Sequence, residues 1–362
     1  MAVRLVLAGG GTGGHVFPAL AVAEQLKSTD ARAELLFIGT DKGFEAQAVP
    51  AAGYRLETLP VDQLVGVSLW RKTRTLAALP KAVLFARRLL KAFQPHVVVG
   101  VGGYASGPAV IAASLLRLPI VLLEQNAIPG RTNRRLARFA TAVVVAYPRA
   151  AEYFDQDNVC CLGNPLRPQL AEELSHAPLP GTGEGLRLLV LGGSRGAQRL
   201  NDLLCETVEQ LLRIHPLLTI EHQTGETDFS TVAGHYAQFG GRAIARPFIH
   251  DIGRAYCAAD LVFCRSGATS IAEITASGRP AVFVPYPHAA DDHQSANARP
   301  LVEAGAAICL TQASLDGSQL VAKLTALLSD RSRLGRMAEA MRRQAHPRAA
   351  ADVVALINRL HR

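Results

Sequence analysis

Short apolar runs that end in glycine recur along the chain, and segments with helical spacing lie between them. Residues 4–8 (Arg-Leu-Val-Leu-Ala) run straight into glycines and read as a buried strand. Residues 16–26 repeat with helical periodicity, 34–39 form a second strand, and 44–52 look helical. Further strands are predicted at 97–100, 119–123 and 142–145. Strands alternating with helices predict a parallel α/β sheet. The pattern restarts at Leu186: a strand over 186–191 enters Gly192-Gly193, and a helix follows over 197–212. Strands at 217–222, 261–264, 281–284 and 307–310, a helix at 292–304 and helices to the end complete this round. Two doubly wound domains are the simplest account, with a boundary between Gly163 and the Pro/Gly-rich stretch 178–185. Ligands in such sheets bind beyond the carboxyl ends of the strands, so two facing domains imply a cleft between them.

At 362 residues, with 49% hydrophobic and 19% charged positions, the chain suits two good cores and excludes disorder as its main state. No run of 18 apolar residues occurs, and the first residues lack the features of a signal peptide, so a cytosolic protein is expected. The six cysteines have no CxxC spacing and read as reduced, mostly buried thiols.

The net charge of +8 is concentrated. Residues 63–151 hold thirteen basic side chains against one acidic, Glu124, while the segments on either side are slightly acidic. Within that stretch, 80–91 reads as a helix with Pro80 in its first turn. Leu79, Val83, Ala86 and Leu90 share one face; Lys81, Arg87, Arg88 and Lys91 lie elsewhere, with Trp70 upstream and Phe85 nearby. Apolar residues ringed by cations suit an anionic membrane surface, each cation contributing roughly 1 kcal/mol. The bland alternative is an amphipathic helix whose apolar face is core. Nucleic acid ranks low, because aromatics are few (6%) and no zinc-finger or RNP-like spacing appears.

Three glycine turns carry the candidate chemistry. Gly9-Gly10-Gly11-Thr12-Gly13-Gly14-His15 lies between a strand and a helix and reads as a phosphate loop, without the Gly-Lys-Ser/Thr of a Walker loop. Gly9, Gly11 and Gly14 satisfy GxGxxG, and Asp41 ends the next strand, so a dinucleotide oxidoreductase is one rival. That reading gives no role to Gly100-Val101-Gly102-Gly103 or to Gly192-Gly193-Ser194-Arg195-Gly196; three loops favour two phosphorylated ligands. His15, at the helix start, has the titration range of a general base. Asp155-Gln156-Asp157 is formally a DxD but reads as a solvated turn.

These motifs, with Glu124-Gln125-Asn126, Gly163-Asn164-Pro165-Leu166-Arg167, Cys264-Arg265-Ser266-Gly267-Ala268 and Asp291-Asp292-His293-Gln294-Ser295, resemble the MurG family of bacterial transferases nearly end to end. The resemblance implies an α/β GT-B fold: an acceptor-binding, membrane-associating domain over 1–163, a donor-binding domain over 164–340, and a final segment 341–362 packed back on the first. It implies transfer of N-acetylglucosamine from UDP-N-acetylglucosamine to lipid I (undecaprenyl-pyrophosphoryl-N-acetylmuramoyl-pentapeptide), giving lipid II, at the cytoplasmic face of the inner membrane. Other cell-wall and division proteins are implied partners; nucleic acid is not. Carried over by motif, Ile249 meets uracil and Glu273 accepts from the ribose hydroxyls. Ser194, with the backbone around Ala268 and Thr269, holds the pyrophosphate, and Ser270, Ile271 and Ala272 belong to that motif. Gln294 and Asn126 bind the sugar, Arg167 sits near the donor, and Thr12, Gly13 and Gly14 line the cleft beside the base, His15. No cofactor is required; a divalent cation at Asp291 and Asp292 is compatible but not indicated. The alternative within the fold is another UDP-sugar enzyme, a glycolipid transferase or an epimerase.

Overall fold

The computed structural model describes residues 2–60, 69–154, 157–193 and 196–361, with the backbone alone described for 69–78. It divides into two units, Met1–Pro168 with Arg348–Arg362, and Gln169–Pro347. The sequence reading set these boundaries at 163/164 and 340/341.

The first unit has seven parallel strands: β1 Arg4–Ala8, β2 Glu34–Gly39, β3 Leu56–Thr58, β4 Val97–Gly100, β5 Ile120–Glu124, β6 Ala142–Val145 and β7 Val159–Cys161. Their order is β3-β2-β1-β4-β5-β6-β7. Its helices are α1 Gly13–Thr29, α2 Glu45–Ala51, α3 Leu69–Phe93, α4 Ser106–Leu115 and α5 Arg131–Leu136. β4, β5 and β6 are buried at every residue, as expected of strands covered on both faces.

A short helix, α6 Pro168–Ser175, leads into the second unit, where six parallel strands follow: β8 Leu186–Leu191, β9 Leu218–Gln223, β10 Ala243–Arg246, β11 Leu261–Cys264, β12 Ala281–Phe283 and β13 Ala307–Cys309. They are ordered β10-β9-β8-β11-β12-β13. The helices are α7 Gln198–Ile214, α8 Glu226–Tyr236, α9 Ile252–Ala258, α10 Ala268–Ser277, α11 His293–Glu303, α12 Gly317–Leu328 and α13 Arg331–Arg342. The last helix, α14 Ala349–His361, packs on α1 and gives Val353, Val354, Leu356 and Ile357 to the first unit's core.

The strand order reverses between β1 and β4 in the first sheet and between β8 and β11 in the second. These switch points place the glycine turns after β1 and β4, and the turns after β8 and β11, at the two crevices where ligands are expected.

Two expectations are corrected. Pro80 lies inside α3, which begins at Leu69. The ring removes one helical hydrogen bond, yet the helix continues through it and packs on α4. Ala82, Ala86 and Leu90 are fully buried at i, i+4 and i+8, which fixes the core-facing stripe. The opposite face exposes Lys81, Leu84, Phe85, Arg88 and Lys91. The cysteines are not mostly buried: only Cys264 is, while Cys161 and Cys309 end edge strands and are exposed. All six are unpaired. The side chain of Trp70, and Asp155 and Gln156 of the DxD, lie outside the described residues.

Candidate active site

In the first unit the glycine turn after β1 interlocks with the turn after β4. The amides of Gly9 and Gly10 donate to the carbonyls of Ile38 (2.9 Å) and Gly102 (3.2 Å), and that of Gly11 donates to Glu45 Oε2 (2.6 Å). A Cβ on Gly9 would fall on the Gly102 carbonyl, one on Gly103 on the Gly10 carbonyl, and one on Gly10 on the Glu45 carboxylate. These glycines therefore serve close packing, and the phosphate-loop reading narrows. Three amides are already committed, so the donors that the first turn of α1 leaves open are those of Gly13 and Gly14. Thr12 is the exposed N-cap, in extended backbone.

His15 follows on the first turn of α1. Its Nδ1 lies 3.1 Å from the Gly10 carbonyl oxygen and 3.4 Å from Thr12 Oγ1. A carbonyl only accepts, so Nδ1 carries a proton, and in the neutral ring Nε2 carries the lone pair. The ring edge rests against Gly102, where a Cβ would stand 2.9 Å from Nε2. Asn126 follows β5, held by Glu124, which is buried to 3% and accepts from the Asn126 amide (3.0 Å), the Gly130 amide (3.0 Å) and Asn133 Nδ2 (2.9 Å). Arg167 bonds both oxygens of Glu24 (2.9 and 3.1 Å), more than two turns along α1 from His15. Thr12, Gly13, Gly14 and His15 thus cluster, whereas Arg167 stands apart from them.

In the second unit the turn after β11 opens α10. The amides of Ala268, Thr269 and Ser270 have no helical acceptor, and the helix start adds partial positive charge. Thr269 Oγ1 is buried without a partner among the described residues, an orphan that a bound oxyanion would satisfy. Ile271 is buried and Ala272 half-buried one turn on. Glu273 is half-buried and accepts from Tyr256 Oη (3.0 Å). Burial pushes its carboxyl up to about 7, and the Tyr256 bond pulls it back only in part.

Ile249 is buried, and its amide donates to Gln223 Oε1 (2.9 Å). The same Gln223 side chain donates from Nε2 to the carbonyl of Gly193 (3.1 Å), so one amide ties the turn after β8 to Ile249. Ser194 lies outside the described residues. Gln294, on the first turn of α11, accepts from the Tyr286 amide (2.9 Å), which leaves its own N–H₂ to donate elsewhere. Asp291 and Asp292 just before it both have positive φ (53° and 52°), two consecutive strained residues at the edge of the site. Among the described residues no cluster of His, Cys, Asp and Glu could hold a metal ion.

Sequence reasoning missed Glu45, Gln223 and Tyr256. Each contacts its partner from 17 to 34 residues away, and each sits in a segment without a motif of its own. The only local hint was the run of Gln223 into Thr224-Gly225 at the end of β9.

Two doubly wound units, one presenting a histidine and the other an open helix start beside a carboxylate at their switch points, define a glycosyltransferase of the GT-B class. The chain belongs to glycosyltransferase family 28: residues 5–145 match the model of its N-terminal domain and 187–353 that of its C-terminal domain. A relative from Anaeromyxobacter sp. is 45% identical over 97% of this chain and 92% of its own length. One from Geobacter sulfurreducens is 41% identical over 97% of each. Both are named UDP-N-acetylglucosamine--N-acetylmuramyl-(pentapeptide) pyrophosphoryl-undecaprenol N-acetylglucosamine transferase. The crystal structure of Acinetobacter baumannii MurG superposes with a TM-score of 0.78 at 33% identity, covering 99% of both chains. A putative UDP-N-acetylglucosamine 2-epimerase from Listeria monocytogenes shares the fold (TM-score 0.71) at only 15% identity, covering 99% of this chain and 96% of its own.

Proposed function

We infer that this chain transfers N-acetylglucosamine from UDP-N-acetylglucosamine to the 4-hydroxyl of the N-acetylmuramoyl sugar of lipid I, giving lipid II for peptidoglycan. Its relatives carry the name of that activity over nearly their whole length. The observation that carries the chemistry is the His15 tautomer: Nδ1 is committed to the Gly10 carbonyl, so Nε2 is the atom that takes a proton.

The transfer inverts the anomeric centre in a single displacement. His15 removes the proton of the acceptor hydroxyl, which attacks the anomeric carbon as UDP leaves from the opposite face. The acceptor binds at Thr12, Gly13 and Gly14, where the start of α1 meets its diphosphate. The leaving diphosphate is stabilised by the amides of Ala268, Thr269 and Ser270, with Ser194. Glu273, ionised, accepts from the ribose hydroxyls; Ile249 meets uracil; Gln294 and Asn126 bind the sugar, and Arg167 lies toward the donor. The reading requires no metal, and undiminished turnover in excess chelator is its check.

The acceptor is anchored in lipid, and no described helix is long and apolar enough to cross a membrane. The protein therefore docks peripherally on the anionic cytoplasmic face of the inner membrane. Leu84 and Phe85, exposed among Lys81, Arg88 and Lys91 on α3, supply an apolar contact ringed by cations. At that surface the enzyme meets other proteins of wall synthesis and division.

The test is product identity. Isotope-labelled UDP-N-acetylglucosamine and a lipid I analogue should yield a labelled β-1,4 disaccharide lipid and one UDP per transfer. Conversion of the donor to an epimer without acceptor would overturn the reading in favour of a nucleotide-sugar epimerase.

A further inference from the structure

Glu45 opens α2 and is buried to 1%, yet nothing in the family reaction calls for a carboxylate there. Its Oε1 accepts from the amide and hydroxyl of Thr40 (2.8 and 2.7 Å), and its Oε2 accepts from the amide of Gly11 (2.6 Å). Three glycines make room for it: a Cβ on Gly10, Gly39 or Gly43 would fall on its side chain. A buried carboxylate is costly unless fully hydrogen-bonded, and an apolar residue would fill the same space without that cost.

The Gly11 amide belongs to the same peptide group as the Gly10 carbonyl, and that carbonyl accepts from His15 Nδ1 at 3.1 Å. Carboxylate, peptide and imidazole therefore form one line. A peptide group is a planar, conjugated unit. A negative charge on its N–H shifts electron density to its oxygen, and linked hydrogen bonds strengthen one another. A stronger acceptor at Nδ1–H fixes the ring's tautomer and orientation and stabilises the imidazolium formed when Nε2 takes a proton. A carboxylate bonded directly to a catalytic histidine does the same.

We propose that Glu45 is a positioning residue that sets the tautomer and basicity of His15 through the Gly10–Gly11 peptide. This rests on the reading of His15 as the base. The test uses the full chain as wild type, Glu45→Gln, His15→Ala and the double variant, assayed with UDP-N-acetylglucosamine and a lipid I analogue. Glu45→Gln should lower kcat by roughly tenfold or more while the donor KM stays within about twofold. In the His15→Ala background the same change should cost less than about twofold. Equal cost in both backgrounds would overturn the proposal, because Glu45 would then only hold the loop.

Imidazole ¹⁵N spectra provide the second readout. Wild type should show the Nδ1–H tautomer, and Glu45→Gln should show a mixture. An unchanged tautomer overturns the proposal even where kcat falls. Glu45→Asp keeps the charge but loses reach to Gly11, and should give the same signature if Glu45→Gln fails to fold. Full activity in His15→Ala would remove the base reading alone, and the spectra would still decide whether Glu45 sets the tautomer.

Discussion

Glu273 makes donor binding depend on pH between 6 and 8, a window in which an ordinary exposed carboxylate site is fully ionised and shows no dependence. Its carboxyl is held up to about 7 by burial, and on the proposed reading the ribose hydroxyls need it as an acceptor. If only the ionised form binds, about one tenth of the protein is competent at pH 6 and about nine tenths at pH 8, so the donor Kd should be about tenfold weaker at pH 6. UDP-N-acetylglucosamine suits the calorimetric titration, because its diphosphate is a diester and stays ionised throughout. Glu273→Gln should bind more weakly at pH 8 and lose the pH dependence. A free carboxyl that titrates above its ordinary 4.5 binds more protons folded than unfolded between 4.5 and about 7. The unliganded protein should therefore lose stability as pH rises through that window, by up to roughly 1.4 kcal/mol per unit, and Glu273→Gln should lessen the loss. A donor Kd that is flat from pH 6 to 8 in wild type, or equally sloped in Glu273→Gln, would refute the reasoning.

Three further outcomes follow from the packing. Gln223→Leu leaves the Ile249 amide and the Gly193 carbonyl without their partner, at roughly 1–3 kcal/mol each, so denaturant unfolding should show a loss of that order and donor affinity should fall at least severalfold. Unchanged donor affinity would dissociate Gln223 from the site. Gly9→Ala places a Cβ on the Gly102 backbone carbonyl at φ +143° and should lower the melting temperature of the first unit strongly, whereas Gly240→Ala, with open space around it at φ +61°, should cost only about 1 kcal/mol. Equal melting temperatures for the two would contradict the interlock. Lys81→Ser with Arg88→Ser should weaken partitioning onto anionic vesicles by roughly tenfold or more, with turnover on a soluble acceptor analogue unchanged. Partitioning that ignores both changes would move the docking surface away from α3.

The strands that carry the site were legible because β1, β4, β5, β8 and β11 are apolar runs ending in glycine or polar turns. β3, β7 and β10 escaped because they are short edge strands, only partly buried, and such a strand need not be an apolar run that stands out from its flanks. The start of α3 escaped because Pro80 resembles a helix opening, and the sequence cannot show that packing on α4 carries the helix through it. His15 was legible from its place after a glycine turn at a helix start. The purpose of those glycines was not: Gly9 and Gly10 admit partners from 35 or more residues away, which look the same in sequence as glycines that admit a phosphate. The role of α14 came from family resemblance, since an amphipathic terminal helix does not say which core it covers.

The most direct measurement is acceptor-dependent UDP release by wild type and His15→Ala, with lipid I analogue and UDP-N-acetylglucosamine both saturating. The account predicts release only with acceptor, and a fall of roughly 100-fold or more in the variant with donor affinity preserved. Release without acceptor would contradict the transferase, and full turnover in His15→Ala would contradict the base.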